Sequence, residues 1–160
     1  MSKMNYSIVV AVEEDTPGLA ECLEKMYSEL REYGLPFTLN HDRMPEILQA
    51  AIRSRFGAVF VAKEDNRSIK GFIIVSVSKF DSKYLPEFGS MIGKITDVYV
   101  VPESRREGLA MTLYSKAEEW LIDSGVSFIE LDVLKQNTLA ECFWGRCGFE
   151  SLSTLMYKKI

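Results

Sequence analysis

Two hydrophobic periods alternate along the chain. Short apolar runs, in which polar residues are few, predict strands, and segments whose apolar residues recur every three or four positions predict helices. The predicted strands cover residues 7–12, 58–62, 69–77, 92–101, 127–133 and 153–159. The predicted helices cover 45–56, 107–124 and 137–147, preceded by one that begins at Asp15-Thr16-Pro17, with Asp15 as the capping residue, and ends at Gly34 and Pro36.

The order of these elements is β-α-α-β-β-β-α-β-α-β. Residues 65–68 form a turn, so the two strands around it make an antiparallel hairpin. The carboxyl-terminal half alternates strand, helix and strand, which favours a right-handed parallel crossover. The pattern therefore predicts an α/β fold with a central mixed sheet and helices on both faces. No linker divides the chain, so residues 1–160 are expected to form one domain.

Composition excludes several classes of partner and ligand. Nineteen basic and 23 acidic residues give a net charge of −4, which argues against nucleic acid or an anionic membrane surface as a partner. The three cysteines have no CxxC spacing and there is one histidine, so no metal site is expected. The free cysteines and the polar residues 1–6 predict a cytoplasmic protein without a secretory leader.

The stretch from Val98 to Ala110 is the most informative. A strand stops at Pro102, two arginines follow, and a helix begins near Gly108. The first turn of a helix has unpaired N–H groups and partial positive charge, and glycine lets an anion approach that backbone closely. With Arg105 and Arg106 beside it, this turn fits a pyrophosphate. An exposed basic turn before an ordinary helix is the alternative.

The spacing V-x-P-x-x-R-x-x-G-x-A (Val100, Pro102, Arg105, Gly108 and Ala110) resembles the acetyl-CoA-binding motif of the GNAT superfamily of acyl-CoA-dependent N-acyltransferases. A second stretch is similar to that superfamily's L-x-V…N-x-x-A-x-x-F-Y-x-x-x-G-F segment. Its matching residues are Leu131, Val133, Asn137, Ala140, Phe143, Trp144, Gly148 and Phe149.

The resemblance implies a GNAT-like fold, with a mostly antiparallel sheet and a splayed parallel strand pair, 95–101 and 127–133, that receives the thioester. It also implies a role for each matching position. The backbone of Val98 and Val100 would pair with the pantetheine arm, and Asn137, Ala140 and Phe143 would contact it. The pyrophosphate would be held by the Arg105 side chain and by the amides of Arg106, Glu107, Gly108, Leu109 and Ala110.

Three carboxylates interrupt the apolar strands of this half. Alternation places Asp97 on one face of its strand with Ile95, Tyr99 and Val101, and it places Asp132 with Phe128 and Glu130. A half-buried carboxylate needs a partner or a function, and an amine must lose a proton to attack a thioester. Asp132 and Asp97 are therefore equal candidates for the base. Each could instead cap a strand end or pair with a lysine or arginine.

One position departs from the family pattern. Trp144 stands where many members have a tyrosine that protonates the leaving thiolate, and an indole N–H is not a usable acid. Tyr99 and Tyr157 are candidates to replace it; water is another. Alternatively, the domain does not catalyse.

We therefore expect an N-acetyltransferase that moves an acetyl group from acetyl-CoA to a primary amine of a small molecule or peptide, by direct attack in a ternary complex. A non-enzymatic acyl-CoA sensor and a partner-binding domain that has lost the cofactor are the alternatives. The first two helices and the aromatic loop 80–90 are expected to form the acceptor walls. That loop, with Phe80, Tyr84 and Phe88, could instead form a homodimer contact.

Overall fold

The computed structural model describes residues 5–65, 67–85, 87 and 89–160. Of the residues discussed above, 1–4 of the polar amino terminus, Asn66 of the predicted turn, and Pro86 and Phe88 of the 80–90 loop lie outside these ranges. The strands are β1 (Tyr6–Val10), β2 (Gly57–Glu64), β3 (Ser68–Lys79), β4 (Met91–Val100) and β5 (Phe128–Glu130), and the helices are α1 (Thr16–Glu32), α2 (Met44–Arg53), α3 (Leu109–Asp123) and α4 (Thr138–Arg146).

The strands form one mixed sheet in the order β1-β2-β3-β4-β5. The first four are antiparallel, and β5 runs parallel to β4 over only three pairs, Ile92–Lys94 with Phe128–Glu130. Beyond Lys94 the two chains separate, so the second half of β4 has no β5 partner. The predicted mixed α/β sheet with a splayed parallel pair is confirmed.

Helices cover both faces of the sheet, because each has an apolar stripe. On one face α1 buries Leu19, Leu23 and Met26, and it packs there with α2. On the other face α3 buries Leu113, Ala117 and Leu121 completely, and α4 adds Trp144. The sheet therefore separates an α1–α2 layer from an α3–α4 layer, each with its own apolar cluster.

A β-bulge in β4 changes which side chains face each layer. Ile74 of β3 pairs with Asp97 and Val75 pairs with Ile95, so Thr96 is an extra residue. Ile95 packs in the α3–α4 cluster, whereas Tyr99 and Val101 pack in the α1–α2 cluster. The prediction that Ile95 shares a face with Asp97 is therefore wrong, because strict alternation takes no account of the inserted residue.

Two local predictions also differ from the structure. Asp15 occupies the N-cap position of α1 as predicted, but its side chain makes no capping hydrogen bond; the carboxylate instead accepts a hydrogen bond from the Val12 N–H (2.9 Å) and pairs with Lys63 (2.6 Å). The predicted last strand, 153–159, is not formed: residues 150–160 have no regular structure and are exposed throughout. A strand needs a neighbouring edge to satisfy its hydrogen bonds, and the chain does not bring this segment to one.

Candidate active site

The turn before α3 has the geometry that the sequence indicated. Arg106 and Gly108 both have a positive φ, 66° and 81°, and Gly108 is the N-cap residue of α3. The Thr112 N–H donates to the Gly108 carbonyl (3.0 Å), which is the first hydrogen bond of the helix. The N–H groups before Thr112 in the first helical turn therefore have no acceptor within the helix. A Cβ built on Gly108 meets no atom within 4 Å. The turn is therefore open at Gly108, and we call residues 105–110 the anion turn.

Arg105 is already bound on three sides. Its Nε donates to the Val100 carbonyl (2.8 Å), its Nη2 donates to both carboxylate oxygens of Glu29 (2.8 and 2.9 Å), and its guanidinium lies 5.2 Å from the centre of the Tyr99 ring. These contacts tie the anion turn to the end of β4 and to α1. The Arg105 side chain therefore fixes the shape of the turn.

The splay leaves one side of β4 open. The Val101 N–H bonds to Lys70 of β3, so by alternation the main-chain groups of Val98 and Val100 point away from β3. The Val100 carbonyl is taken by Arg105, which leaves the Val98 groups and the Val100 N–H facing the split.

Helix α4 borders the same side of the sheet. Asn137 caps this helix, because its Oδ1 accepts the Ala140 N–H (3.2 Å). Its side-chain amide N–H groups are not used by that bond. Ala140 and Phe143 are half-buried and pack against the α3–α4 cluster. The positions predicted for the pantetheine arm thus lie in the layer that also contains α3.

Trp144 belongs to the core of that layer. It is 5% exposed, and its ring makes edge-on contacts with Tyr114, Phe143 and Phe149 at centroid distances of 5.5, 4.9 and 5.3 Å. Packing among these four aromatic rings is sufficient to explain why a tryptophan occupies this position.

A cavity of about 300 Å³ opens on the opposite face, between α1, α2 and the strands β3 and β4. We call it the α1–α2 cavity. Its walls are mainly apolar, with Leu23, Leu39, Met44, Ile47 and Ala51 among them. Asp97 is the one carboxylate among its described lining residues, and it is next to the bulge at Thr96.

Asp97 is half-buried, and its Oδ1 accepts a hydrogen bond from the Tyr27 hydroxyl (3.2 Å). Burial raises the pKa of this carboxyl, while the hydrogen bonds from Thr96 and Tyr27 partly oppose that rise. Burial, together with the Asp97 charge, raises the pKa of Tyr27 to about 12. Asp97 is therefore a carboxylate held in a pocket with an increased affinity for a proton.

The two other predicted catalytic residues are placed differently. Asp132 is 80% exposed and lies 3.4 Å from Lys94. Tyr99 is 6% exposed and donates its hydroxyl to Glu29 (2.9 Å); burial is the largest cause that raises its pKa to about 12. The structure brings Asp97 to a cavity, Asp132 to solvent and Tyr99 to the partly exposed carboxylate of Glu29.

Tyr27 and Glu29 are site residues that the sequence did not indicate. Both lie on α1, and they contact Asp97, Tyr99 and Arg105 some 70 residues away. Tyr27 sits within an apolar stripe that predicts only core packing, and nothing in the sequence shows which residues of β4 that stripe will meet.

The described part of the 80–90 loop lies at the β5 side of the sheet. Phe80 makes edge-on contacts with Tyr84 and with Phe128 of β5, at 5.5 and 6.2 Å. No described residue of this loop lines the α1–α2 cavity. Within the described residues there is also no cluster of three His, Cys, Asp or Glu side chains suited to a metal, and no helix long and apolar enough to cross a membrane.

Comparison with known proteins gives the class. Residues 23–149 match the family model for the acetyltransferase (GNAT) family, and because that is most of the chain, this protein belongs to that family. No curated protein sequence matches the chain.

Solved structures agree on the fold. A mutant of the BH1408 protein from Bacillus halodurans superposes with a TM-score of 0.82 at 21% identity, over 96% of this chain and 99% of the other. The aminoglycoside N-acetyltransferase AAC(6')-Iy in complex with CoA gives 0.78 at 16% identity, over 98% and 95%. A possible acetyltransferase from Clostridium difficile 630 gives 0.77 at 19% identity, over 97% of each chain. At these identities the likeness shows the fold alone.

Proposed function

We propose that this chain is an N-acetyltransferase that moves the acetyl group of acetyl-CoA to a primary amine, with Asp97 as the base. The observation that carries this proposal is the position of Asp97. A half-buried carboxylate with a raised pKa lies at a bulge of β4, where the strand has left β5, and it faces a cavity on the sheet face opposite α3.

Acetyl-CoA, the acyl donor, would be bound mainly by main-chain groups. The amides of residues 106–110 would hold the pyrophosphate, and the open groups of Val98 and Val100 would pair with the pantetheine arm beside Asn137, Ala140 and Phe143. Arg105 would act by holding the anion turn in shape. These residues would place the thioester in the split between β4 and β5, where an N–H near Val98 could polarise its carbonyl.

The acceptor side is the α1–α2 cavity. The amine nitrogen would attack the thioester carbonyl carbon in a ternary complex, and the C–N bond would form as the C–S bond breaks. Asp97, directly or through water, would take the proton that the nitrogen loses, and CoA would leave as the thiolate. We assign Tyr27 the positioning of Asp97, Tyr99 the support of Glu29 and Arg105, and Asp132 a surface pair with Lys94.

The lining of the cavity indicates which class of amine it would accept. Its walls are apolar apart from Asp97 and a few hydroxyl side chains, so an amine on an apolar arm would bury more of its surface there than a polyhydroxylated amine would. AAC(6')-Iy has also been solved with the bisubstrate analog CoA-S-monomethyl-acetylneamine. For the present chain we expect apolar primary amines to be better acceptors than such an aminoglycoside. We place the reaction in the reducing cytoplasm, consistent with three free cysteines.

The test is release of free thiol from acetyl-CoA with a panel of primary amines graded in apolar size, using the wild type, Asp97→Asn and the matched control Asp132→Asn. We expect Asp97→Asn to lower kcat by roughly 10²–10⁴-fold, the usual range for a general base, with acetyl-CoA binding retained. Asp132→Asn should retain its turnover. Equal losses in the two variants would contradict the assignment of the base. Tight acetyl-CoA binding without turnover of any amine would favour the sensor alternative.

A further inference from the structure

The connection between β4 and α3 is held by side chains that reach three different elements. Every second residue of it makes a polar contact: Glu103 with Lys70 of β3 (3.7 Å), Arg105 with Glu29 of α1 (2.8 Å) and Glu107 with Tyr6 of β1 (3.1 Å). The last two of these contacts involve the anion turn itself. One comes from the α1–α2 layer, and the other comes from the strand at the opposite edge of the sheet from β5.

Tyr6 is brought to the anion turn by the sheet. It is the first residue of β1, where it pairs with Glu64 of β2, and its half-buried ring packs against the α3–α4 cluster. Its hydroxyl donates to Oε2 of Glu107, which lies 101 residues further along the chain. The ring thus belongs to the packing of the sheet, whereas the hydroxyl reaches Glu107. Removal of the hydroxyl alone would leave that packing in place.

The backbone of the turn explains why a contact at Glu107 matters. Arg106 has a φ of 66°, which few residues other than glycine adopt, and a conformation of this kind persists only where the surroundings hold it. Arg105, the residue before it, is fixed by Glu29 and by the Val100 carbonyl. Glu107, the residue after it, is bound by Tyr6. The two neighbours of the strained residue are therefore held from two sides.

The charge of Glu107 is a second reason. Its carboxylate is exposed and belongs to the residue immediately before Gly108, the N-cap of α3. A helix N-terminus attracts any anion, and the space around Gly108 is open. A carboxylate that turned towards this helix end would repel a phosphate or take its place. The hydrogen bond to Tyr6 keeps the carboxylate at β1 instead.

We propose that Tyr6 positions Glu107 so that the anion turn stays open to the pyrophosphate of acetyl-CoA. This inference rests on the proposed function, which assigns the pyrophosphate to the anion turn. The Tyr6 hydroxyl holds a negative charge at the edge of the sheet, and without it the same carboxylate becomes an internal competitor of the phosphates. Tyr6 acts through Glu107 and has no contact of its own with acetyl-CoA.

The first test is the Kd of acetyl-CoA, measured by titration calorimetry. Tyr6→Phe keeps the ring and should bind acetyl-CoA about two- to fivefold more weakly than the wild type, which is the size of one charge near a helix N-terminus. Tyr84→Phe is the matched control, because Tyr84 is 53% exposed and packs on Phe80, away from the anion turn. It should retain the wild-type Kd. An unchanged Kd in Tyr6→Phe would overturn the proposal.

The second test asks whether the hydroxyl acts through the charge of Glu107. Glu107→Gln should bind acetyl-CoA as much as about fivefold more tightly than the wild type, because it removes a negative charge beside the phosphates. Tyr6→Phe combined with Glu107→Gln should bind as tightly as Glu107→Gln alone, since no charge is left to be held back. A double variant as weak as Tyr6→Phe would mean that the hydroxyl serves only the folding of the turn, and it would overturn the proposal.

The third test compares two acyl donors. S-acetylpantetheine has the thioester and the pantetheine arm but no pyrophosphate. In the thiol-release assay Tyr6→Phe should raise the KM for acetyl-CoA at unchanged kcat, and it should leave kcat/KM for S-acetylpantetheine at the wild-type value. Added salt should reduce the difference in acetyl-CoA affinity between Tyr6→Phe and the wild type, because it screens exposed charges. Equal losses with both donors, or a difference that salt does not change, would overturn the proposal.

The same measurements separate this inference from the proposed function. A wild type that binds acetyl-CoA but acetylates no amine would contradict acetyl transfer, and the order of the Kd values among the variants would still decide the role of Tyr6. A wild type that acetylates amines, with a Tyr6→Phe variant equal to it, would contradict the role of Tyr6 alone. A wild type that does not bind acetyl-CoA would overturn both.

Discussion

The candidate sites in the two layers of this protein are formed by different kinds of group. On the α3–α4 side the candidate donor site consists mainly of main-chain groups, in the anion turn and along the open side of β4, and the residues that form it lie between positions 98 and 143. On the α1–α2 side the candidate acceptor site consists mainly of side chains from α1, α2 and the strands beneath them, at positions between 23 and 97. A backbone site depends on local conformation, whereas a side-chain site depends on how distant elements dock.

This contrast predicts that substitutions in the anion turn will affect donor binding alone. Gly108→Glu should weaken acetyl-CoA binding by at least a hundredfold, because it puts a negative side chain into the open space where the pyrophosphate would lie. Titration calorimetry and the shift in Tm with acetyl-CoA would measure it.

Gly125→Glu is the matched control for that substitution. Gly125 ends α3, has a φ of 82°, and also has open space around a built Cβ, so the backbone strain of the two variants should be similar. It should retain binding. A Gly108→Glu protein that folds and binds acetyl-CoA normally would place the phosphate site elsewhere.

Arg105 tests whether the two layers are coupled. Arg105→Ala should weaken acetyl-CoA binding by about tenfold, which lies within the about 1–3 kcal/mol range for a hydrogen bond to a charged group. Glu29→Gln should have a smaller effect in the same direction, because Glu29 orients Arg105 from α1. Calorimetry on both variants would check this order. If Glu29→Gln left binding unchanged while Arg105→Ala removed it, Arg105 would contact the phosphates itself.

Asp97 should show opposite effects on activity and stability. Its raised pKa means that the folded state disfavours its charge, so the stability that the neutral carboxyl provides is lost as pH rises through the folded pKa. Asp97→Asn should therefore have a higher Tm than the wild type at pH 7, and the difference should shrink as the pH falls through the pKa of the carboxyl. Thermal unfolding across that range would measure it.

In the wild type, turnover should fall as pH drops through the same pKa, because the protonated carboxyl cannot accept a proton. Asp132→Asn is the matched control for activity, because the Asp132 side chain is exposed and lies beside Lys94, away from the α1–α2 cavity. A lower Tm for Asp97→Asn at pH 7 would show that the charged carboxylate stabilises the fold. It would contradict the conclusion that burial disfavours the charge on Asp97.

The smallest effect is expected at Trp144. Trp144→Tyr leaves space among three aromatic neighbours and buries a hydroxyl, so we expect a loss of stability of about 1–2 kcal/mol. Acetyl-CoA binding should persist and turnover should be equal to the wild type or higher. Unfolding in denaturant and the thiol-release assay would measure the two quantities. Loss of turnover in a folded, acetyl-CoA-binding variant would mean that the indole contacts the acceptor.

The prediction of the fold from sequence succeeded where local pattern is sufficient. The apolar stripes of α1 and α3 and the glycine before α3 indicate their structure without reference to the rest of the chain. It failed at Ile95, because a bulge is a relation between two strands, and at 153–159, because an extended segment becomes a strand only beside an edge. The choice between the two candidate bases rests on burial. The sequence favours Asp97 and Asp132 equally, and only the docking of α1 on β4, which buries Asp97, distinguishes them.

The extra residue at Thr96 has a consequence for how such a site could arise or be altered. Upstream of it, odd-numbered residues of β4 such as Ile95 face α3; downstream, odd-numbered residues such as Tyr99 face α1. Thr96 thus shifts the residue numbering by one relative to the two faces of the strand. Deleting it would leave Ile95 paired with Val75 and Asp97 paired with Ile74 in a regular ladder, so both side chains would keep their present faces. The bulge therefore allows this strand to hold one more residue without exchanging the chemistry of its two surfaces.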